Sequence, residues 1–342
     1  MGIAVIFLLA SAASLTIGCL ILEAKPLPET LDVASMRLLR KVYESSNDKN
    51  VVLSPLGLFT LLSLYTFGAE GKVADEIVDF LGAVDKRHLT DSYRKLSREL
   101  SSMDPDLLAF SGNVYVDNEY SLNNSFILNA YSYNSEANII NFRDPKSAAN
   151  IINEWVSMKT KGKIDKIVSE DDITSDLIVA LYNVIFFKGH WAVPFDERAT
   201  KESCFLTDNF QLIKKPLMHL LQSLDYYEDE RAGLRMIQLP YKESTFKMVV
   251  VLPSYLDGLS MVLRQISETG LLHYVNRMNR SEFEIDLFLP KFEIESEHDL
   301  NDILPKVNAK RRHKSTSRSK HKSFTKFAQI LILTVRHIQD LQ

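Results

Sequence analysis

Cysteine is almost missing: Cys19 and Cys204 are the only two in 342 residues. A chain so poor in thiols has no disulfide framework, so its fold must rest on an apolar core. Signatures of catalysis are also missing. H-E-x-x-H, G-x-S-x-G, G-x-x-x-x-G-K-[ST], G-x-G-x-x-G and C-x-x-C occur nowhere. Of the eight histidines, His313 and His321 sit in a basic stretch and the others show no metal-ligand spacing. A Ser-His-Asp site built from distant positions leaves no such trace, but no residue pattern points to one. The expectation is no enzyme, no metal and no cofactor. Internal repeats and domain-splitting linkers are absent too, and a 46% hydrophobic content makes disorder the wrong default.

Charge is unevenly distributed. Residues 306–342 hold ten Lys and Arg and one acid, Asp340, a net +9. The remaining 305 residues carry 30 basic and 43 acidic side chains, a net −13. An acidic body repels phosphate, which argues against nucleic acid as a partner.

No charge occurs in the first 22 residues, MGIAVIFLLASAASLTIGCLIL, and Glu23 is the first. This reads as a secretory signal peptide over residues 1–24, cut near Ala24 or after Gly18. About 20 apolar residues can also span a bilayer, so a membrane anchor is the rival. Ser11, Ala12, Ala13, Ser14 and Gly18 favour the cleaved leader, hence a secreted, extracellular chain without stable membrane insertion. Cleavage at Ala24 leaves Cys204 as the lone thiol. In that route the sequons at Asn123 and Asn279 are candidate glycosylation sites.

Helices lead and strands crowd later, which points to a large α+β domain. Leu31, Ala34, Leu38 and Val42 fall on one helical face, and a second helix is predicted from Leu56 to Phe67, stopped by Gly68. DPKSAANIINEWVSMKTKG predicts a helix capped by Asp144, begun at Pro145 and ended by Gly162. Its apolar stripe is Ala148, Ile151, Ile152, Trp155 and Val156. DLIVALYNVIFF is apolar almost throughout and predicts a central strand covered on both faces. GLRMIQLPY and FKMVVVLP are further strand candidates. EFEIDLFLPKFEIE alternates Phe283, Ile285, Leu287 and Leu289 with acids, and Pro290 divides it into two strands.

Six blocks then carry a resemblance: NVVLSPLGLFTLLSLYTFGAEGKVADEI, NVYVDNEYSLNNSFILNA, DPKSAANIINEWVSMKTKGKI, LYNVIFFKGHWAVPFD, RMIQLPYKESTFKMVVVLP and LFLPKFEIESEHDLNDIL. Their order and spacing resemble the serpins, from residue 30 to about residue 305. The resemblance implies a single domain of three sheets and eight or nine helices, the main sheet five-stranded in the active form. It would occupy residues 25–307 and be incomplete at its C-terminal end. The resemblance also implies inhibition of serine proteases, in which a cleaved bait loop enters the main sheet as an extra strand. Ser54 and Asn183 match the family's shutter beneath that sheet, and Trp191 and Lys291 match the breach at its top. Gly57 departs from the pattern, which usually has a second shutter serine there.

After DLNDILPKV a serpin continues through a further main-sheet strand, a hinge rich in Glu, Gly, Thr and Ala, the bait loop and two closing strands. Here 35 residues follow Val307, and none reads as that hinge. Residues 308–342 are expected to form a basic, disordered tail from an alternative or mis-read final exon, leaving no reactive bond. Within it, Phe327 to Val335 is apolar enough for a strand or short helix. The sequence thus implies a serpin whose partner would be a serine protease, non-inhibitory for lack of the loop. Two alternatives are a non-inhibitory, ligand-binding serpin fragment and a polyanion-binding tail. The tail would hold a glycosaminoglycan through Lys310, Arg311, Arg312, Lys314, Arg318, Lys320 and Lys322.

Overall fold

The computed structural model describes residues 6–10, 27–46, 50–207, 211–242, 246–292 and 331–337. The chain divides into two compact units. One comprises Lys41–Phe187 with Ile294–His337, the other Met1–Arg40, Lys188–Glu293 and Ile338–Gln342.

The first unit is built on a four-stranded sheet. Its centre is β2 (Leu108–Asp117) antiparallel to β4 (Val179–Phe187), with β3 (Ser135–Ile140) parallel to β2 on one flank and β12 (Leu331–His337) parallel to β4 on the other. β4 is central because it has no polar face to offer water: Ala180, Leu181, Tyr182, Asn183 and Val184 are consecutively buried. On one side α6 (Pro145–Lys159) brings Ala148, Ile152, Trp155 and Val156 onto Tyr115, Ala180, Tyr182 and Val184. Asp144 caps it by accepting from the Ser147 amide at 3.2 Å, Pro145 opens it, and Gly162 follows its end with φ +72°. The predicted stripe holds except at Ile151, which is exposed.

Against β2 and β4 also packs α2 (Pro55–Tyr65), apolar on every side and therefore buried rather than amphipathic. α3 (Lys72–Phe80), α4 (Lys86–Ser101) and α5 (Asn124–Ser132) complete the unit. Its helices are tied by a buried cluster in which the Tyr133 hydroxyl donates to the Thr90 carbonyl at 2.9 Å and shares a 3.1 Å hydrogen bond with Ser63.

In the second unit a five-stranded antiparallel sheet runs β1 (Ile6–Ala10), β9 (Phe246–Pro253), β8 (Leu234–Pro240), β7 (Asp225–Asp229), β10 (Asn279–Arg280). A three-stranded sheet runs β11 (Ile285–Pro290), β6 (Leu212–Gln222), β5 (Lys201–Leu206). Leu234, Met236, Val249 and Val251 pack with Met36 of α1 (Leu27–Ser45), Val262 and Ile266 of α7 (Leu259–Thr269) and Tyr274 of α8 (Leu272–Val275). Asp32 accepts from the Leu272 amide at 2.8 Å, and a Cβ on Gly270 would lie 2.2 Å from the same carboxylate oxygen. Gly270 also takes φ +87°, so glycine is needed there twice over.

Three expectations need correction. The second helix ends at Tyr65 rather than Phe67, because Phe67 and Gly68 close turns onto Leu64 and Tyr65. Phe283 precedes β11 and is exposed, since the strand begins only at Ile285. A tail without structure does not hold for Leu331–His337, whose seven residues pair with Leu181 through Phe187. The apolar run there can complete a ladder, whereas the preceding Lys and Arg residues offer little to bury. Those residues, and the second strand expected after Pro290 from residue 293 onward, lie outside the described residues. The sheet expected to have five strands shows four among them.

Candidate functional site

Ser54 and Asn183 belong to the first unit. Ser54 is the N-cap of α2, its Oγ accepting from the Gly57 amide at 3.3 Å, with Pro55 at the first helical position. That turn lies directly on β4: a Cβ built on Gly57 would fall 1.9 Å from Asn183 Oδ1 and 2.6 Å from its Cγ. Glycine at 57 is therefore a notch filled by the Asn183 amide. One turn further along α2, a Cβ on Gly112 would meet Leu61 at 2.8 Å and Ser135 Oγ at 2.5 Å. Two missing side chains, one on the helix and one on the sheet, allow the close approach.

Asn183 is 3% exposed. Its Nδ2 donates to the Ser111 carbonyl of β2 at 3.1 Å, and its Oδ1 has no hydrogen-bond partner. A buried acceptor left unpaired costs about 1–3 kcal/mol. Ser54 and Asn183 are brought together through Gly57, and among the described residues no hydrogen bond joins their side chains.

The other face of the same strands repeats the pattern. Asn138 Nδ2 donates to Asn113 Oδ1 at 3.1 Å, while Asn113 Nδ2, the Tyr182 hydroxyl and the Trp155 indole N–H are buried without partners. Tyr115 and Tyr182 meet edge-on at 5.9 Å. Burial lifts both phenols well above their ordinary range, with Glu136 adding to Tyr115 and Asp172 to Tyr182. Sequence reasoning missed Asn113, Asn138 and the Gly112 notch. For Gly112 and Asn113 the signal was a glycine and an asparagine inside the strand-forming run SGNVYVD.

Trp191 and Lys291 belong to the second unit. Trp191 is buried, stacked on Tyr241 at 4.7 Å with planes 13° apart and edge-on to Phe195 at 6.0 Å. Flanking hydrogen bonds, Ala192 N to Pro240 O at 2.9 Å and Lys242 N to His190 O at 2.7 Å, lock the pair. Lys291 follows β11, its amide donating to Pro216 O at 2.9 Å and its side chain exposed. Among the described residues no hydrogen bond or cation–ring contact joins it to Trp191.

Asn123 and Asn279 are both exposed. Asn123 caps α5 through its Oδ1, and Asn279 Nδ2 donates to the Arg277 carbonyl at 3.1 Å. The seven tail residues from Lys310 to Lys322 lie outside the described residues. An open depression of about 510 Å³ beside α3, lined by Ala74, Asp75, Val78, Asp79 and Lys86 among others, contains no histidine, cysteine or serine. Among the described residues no group of His, Cys, Asp and Glu has metal-binding geometry.

A sequence profile of the family described as Serpin (serine protease inhibitor) matches residues 29–338. The chain is a serpin. Proteins of this family are protease inhibitors, not enzymes, and serine proteases are their typical targets. The matched range ends just past β12. Similar serpins include antichymotrypsin-2 of Bombyx mori, 30% identical over 278 residues, 81% of this chain and 74% of that one. Serine protease inhibitor 42Dd of Drosophila melanogaster is 31% identical, with 80% and 73% covered. The thyroxine-binding globulin complex with thyroxine superposes with a TM-score of 0.75 at 26% identity, over 82% of this serpin and 76% of that chain. Cleaved Serpin 42Da gives 0.76 at 24% identity, with 87% and 79% covered, a likeness of fold.

Proposed function

We propose that this serpin is a secreted protein that keeps the family's sheet framework but does not trap a protease. One observation carries the reading. The strand that follows the basic segment pairs straight onto β4, and the residues before it, from Lys310 to Lys326, are rich in Lys, Arg and Ser rather than small and uncharged. A strand inserting beside β4 must part it from β12 or from β2. It would also have to bury side chains, and burying unpaired Lys or Arg costs far more than burying Ala or Thr. Incubation with trypsin-like, chymotrypsin-like and elastase-like proteases is expected to give no SDS-stable complex, and a single such band would overturn the reading. Secretion is tested separately, by N-terminal sequencing of the expressed protein for a start near Lys25.

The charge asymmetry favours a second reading, in which the +9 segment binds a sulfated polysaccharide. Retention on heparin should then disappear when residues 310–326 are deleted, and equal salt elution of the two forms would remove this reading. Binding of a small ligand without inhibition, the other alternative, is supported by the likeness to the thyroxine-binding globulin complex.

A further inference from the structure

Most acids around the four-stranded sheet have found a cation. Glu119 holds Arg143 at 2.6 Å, Glu136 holds Lys159 at 2.6 Å, and Asp106 holds Lys161. One stretch of the same unit is left out of that pairing. Residues 167–178 contain Glu170, Asp171, Asp172 and Asp176 and no Lys or Arg. All four acids are exposed, and among the described residues none of them makes an ion pair. Their arrangement is fixed locally. Ser169 donates its amide and its hydroxyl to Asp172 Oδ2 at 2.7 and 2.5 Å, which opens a single 3₁₀ turn over Glu170–Asp172, and the Leu177 amide closes a second turn onto the Thr174 carbonyl at 3.1 Å. The first turn packs against α6. Like charges held this close repel one another, so the stretch lacks the cation that would settle it.

β12 brings that cation within reach. It runs parallel to β4, with Leu331 opposite Leu181 and Ile332 opposite Tyr182, so the chain enters β12 at the end of the sheet where the acidic stretch leads into β4. The Tyr182 hydroxyl marks the meeting point: it is fully buried, has no hydrogen-bond partner and feels the negative charge of Asp172. The residues that precede β12, 308–330, include eight Lys and Arg and no acid. Lys326 is five residues from Leu331 and Lys322 is nine, a reach of at most about 17 Å and about 30 Å. Carried back at the same offset, the register sets Lys326, Lys322 and Lys320 against Asp176, Asp172 and Glu170. The turn at 174–177 bends the acidic side, so this match is one of order along the chain and not of a ladder. A single exposed ion pair is weak, but a short tether holds the partners at millimolar effective concentration and lets several pairs act together. We propose that Glu170, Asp171, Asp172 and Asp176 form the docking surface for the basic segment of the same chain, residues 310–326, with Lys320, Lys322 and Lys326 as its contacts. The acidic stretch is then an internal competitor for any polyanion that the segment meets. The inference rests neither on the loss of protease trapping nor on the polysaccharide reading.

The test uses the full chain and a water-soluble carbodiimide, which joins a carboxylate to an amine only where the two are in contact. The linked peptides are identified by mass spectrometry. At low salt, amide links from Lys320, Lys322 or Lys326 to Glu170, Asp171, Asp172 or Asp176 should be several-fold more abundant than links from the same lysines to Glu70 and Asp75, which are equally exposed acids of this unit. The excess should vanish at about 0.5 M salt, where screening reaches only a few Å. Equal abundance at low salt would overturn the proposal. So would links found only between molecules in a mixture of isotope-labelled and unlabelled chains, which would make the occupant a second copy. The second measurement is trypsin cleavage within residues 310–326. The triple variant Glu170→Gln, Asp171→Asn, Asp176→Asn keeps Asp172, whose bonds to Ser169 hold the turn. Cleavage at low salt should be several-fold faster in the variant than in the unaltered chain, with the two rates converging as salt rises. Equal rates at low salt would overturn the assignment.

Discussion

β4 and β9 are the two strands on which the units are built, and they differ in one respect. Both are consecutively buried and both have a terminal strand on one flank. The buried side chains of β9 are all apolar. β4 carries Tyr182 toward α6 and Asn183 toward α2, each with a buried polar atom that lacks a partner, and the adjoining Gly57 and Gly112 leave no side chain to fill the space. Every unpaired atom raises the free energy of the closed arrangement without adding to that of a parted one. A strand with such atoms is therefore easier to separate from its neighbours than one without them. The difference makes β4 the easier of the two strands to part from its neighbours.

The comparison breaks first at β9. Met248 is fully buried, and Met248→Ala should cost about 2–5 kcal/mol through lost transfer energy and an unfilled cavity. Urea unfolding followed by tryptophan fluorescence measures it. A loss under about 1 kcal/mol would show that β9 is not the buried apolar strand described here.

Next comes the notch. Gly57→Ala places a methyl where Asn183 Oδ1 now lies, so the amide must rotate and give up its bond to Ser111. The expected cost is about 1–3 kcal/mol. Asn183→Ala alone should cost less, about 0.5–1.5 kcal/mol, because it removes one made bond and one orphaned acceptor together. Truncating Asn183 vacates the space that a methyl at position 57 needs, so the double variant should be more stable than the two losses added. Strict additivity would mean that the helix and β4 are not keyed to each other.

Much of this was legible in the sequence, for reasons that vary by element. The helix at 145–159 could be read because Asp144, Pro145 and Gly162 punctuate it and its period is helical. β4, β8 and β9 could be read because apolar runs of that length have few other uses. Asn183 was visible as a polar residue inside such a run, and Ser54 only through the family resemblance, its capping role appearing with the structure. The notch was not. Gly57 read as a departure from the family pattern, and only the placement of Asn183 shows what the missing side chain makes room for. Nor could periodicity assign the two terminal runs their partners: pairing Ile6–Ala10 with β9 and Leu331–His337 with β4 are long-range events that local pattern does not encode.

The last comparison sets two tyrosines of the four-stranded unit against each other, and it tests sign rather than size. Tyr133 has its hydroxyl satisfied by Ser63 and Thr90, so Tyr133→Phe should cost about 1–2 kcal/mol. The Tyr182 hydroxyl has no partner, so Tyr182→Phe should be neutral or stabilising by a few tenths of a kcal/mol. Alkaline titration gives an independent reading of the same burial. The Tyr133 phenol is pushed up to about 12, chiefly by burial, with Ser63 and Arg94 pulling it back and Asp91 raising it. Above pH 10 the unfolded chain loses that proton while the folded chain keeps it. The stability tied to Tyr133 is therefore whole below pH 10 and declines as pH rises toward 12. Tyr133→Phe should make the loss of stability between pH 10 and pH 12 shallower, as read by denaturant midpoints across that range. An unchanged slope would place the phenol in contact with water and remove Tyr133 from the buried network.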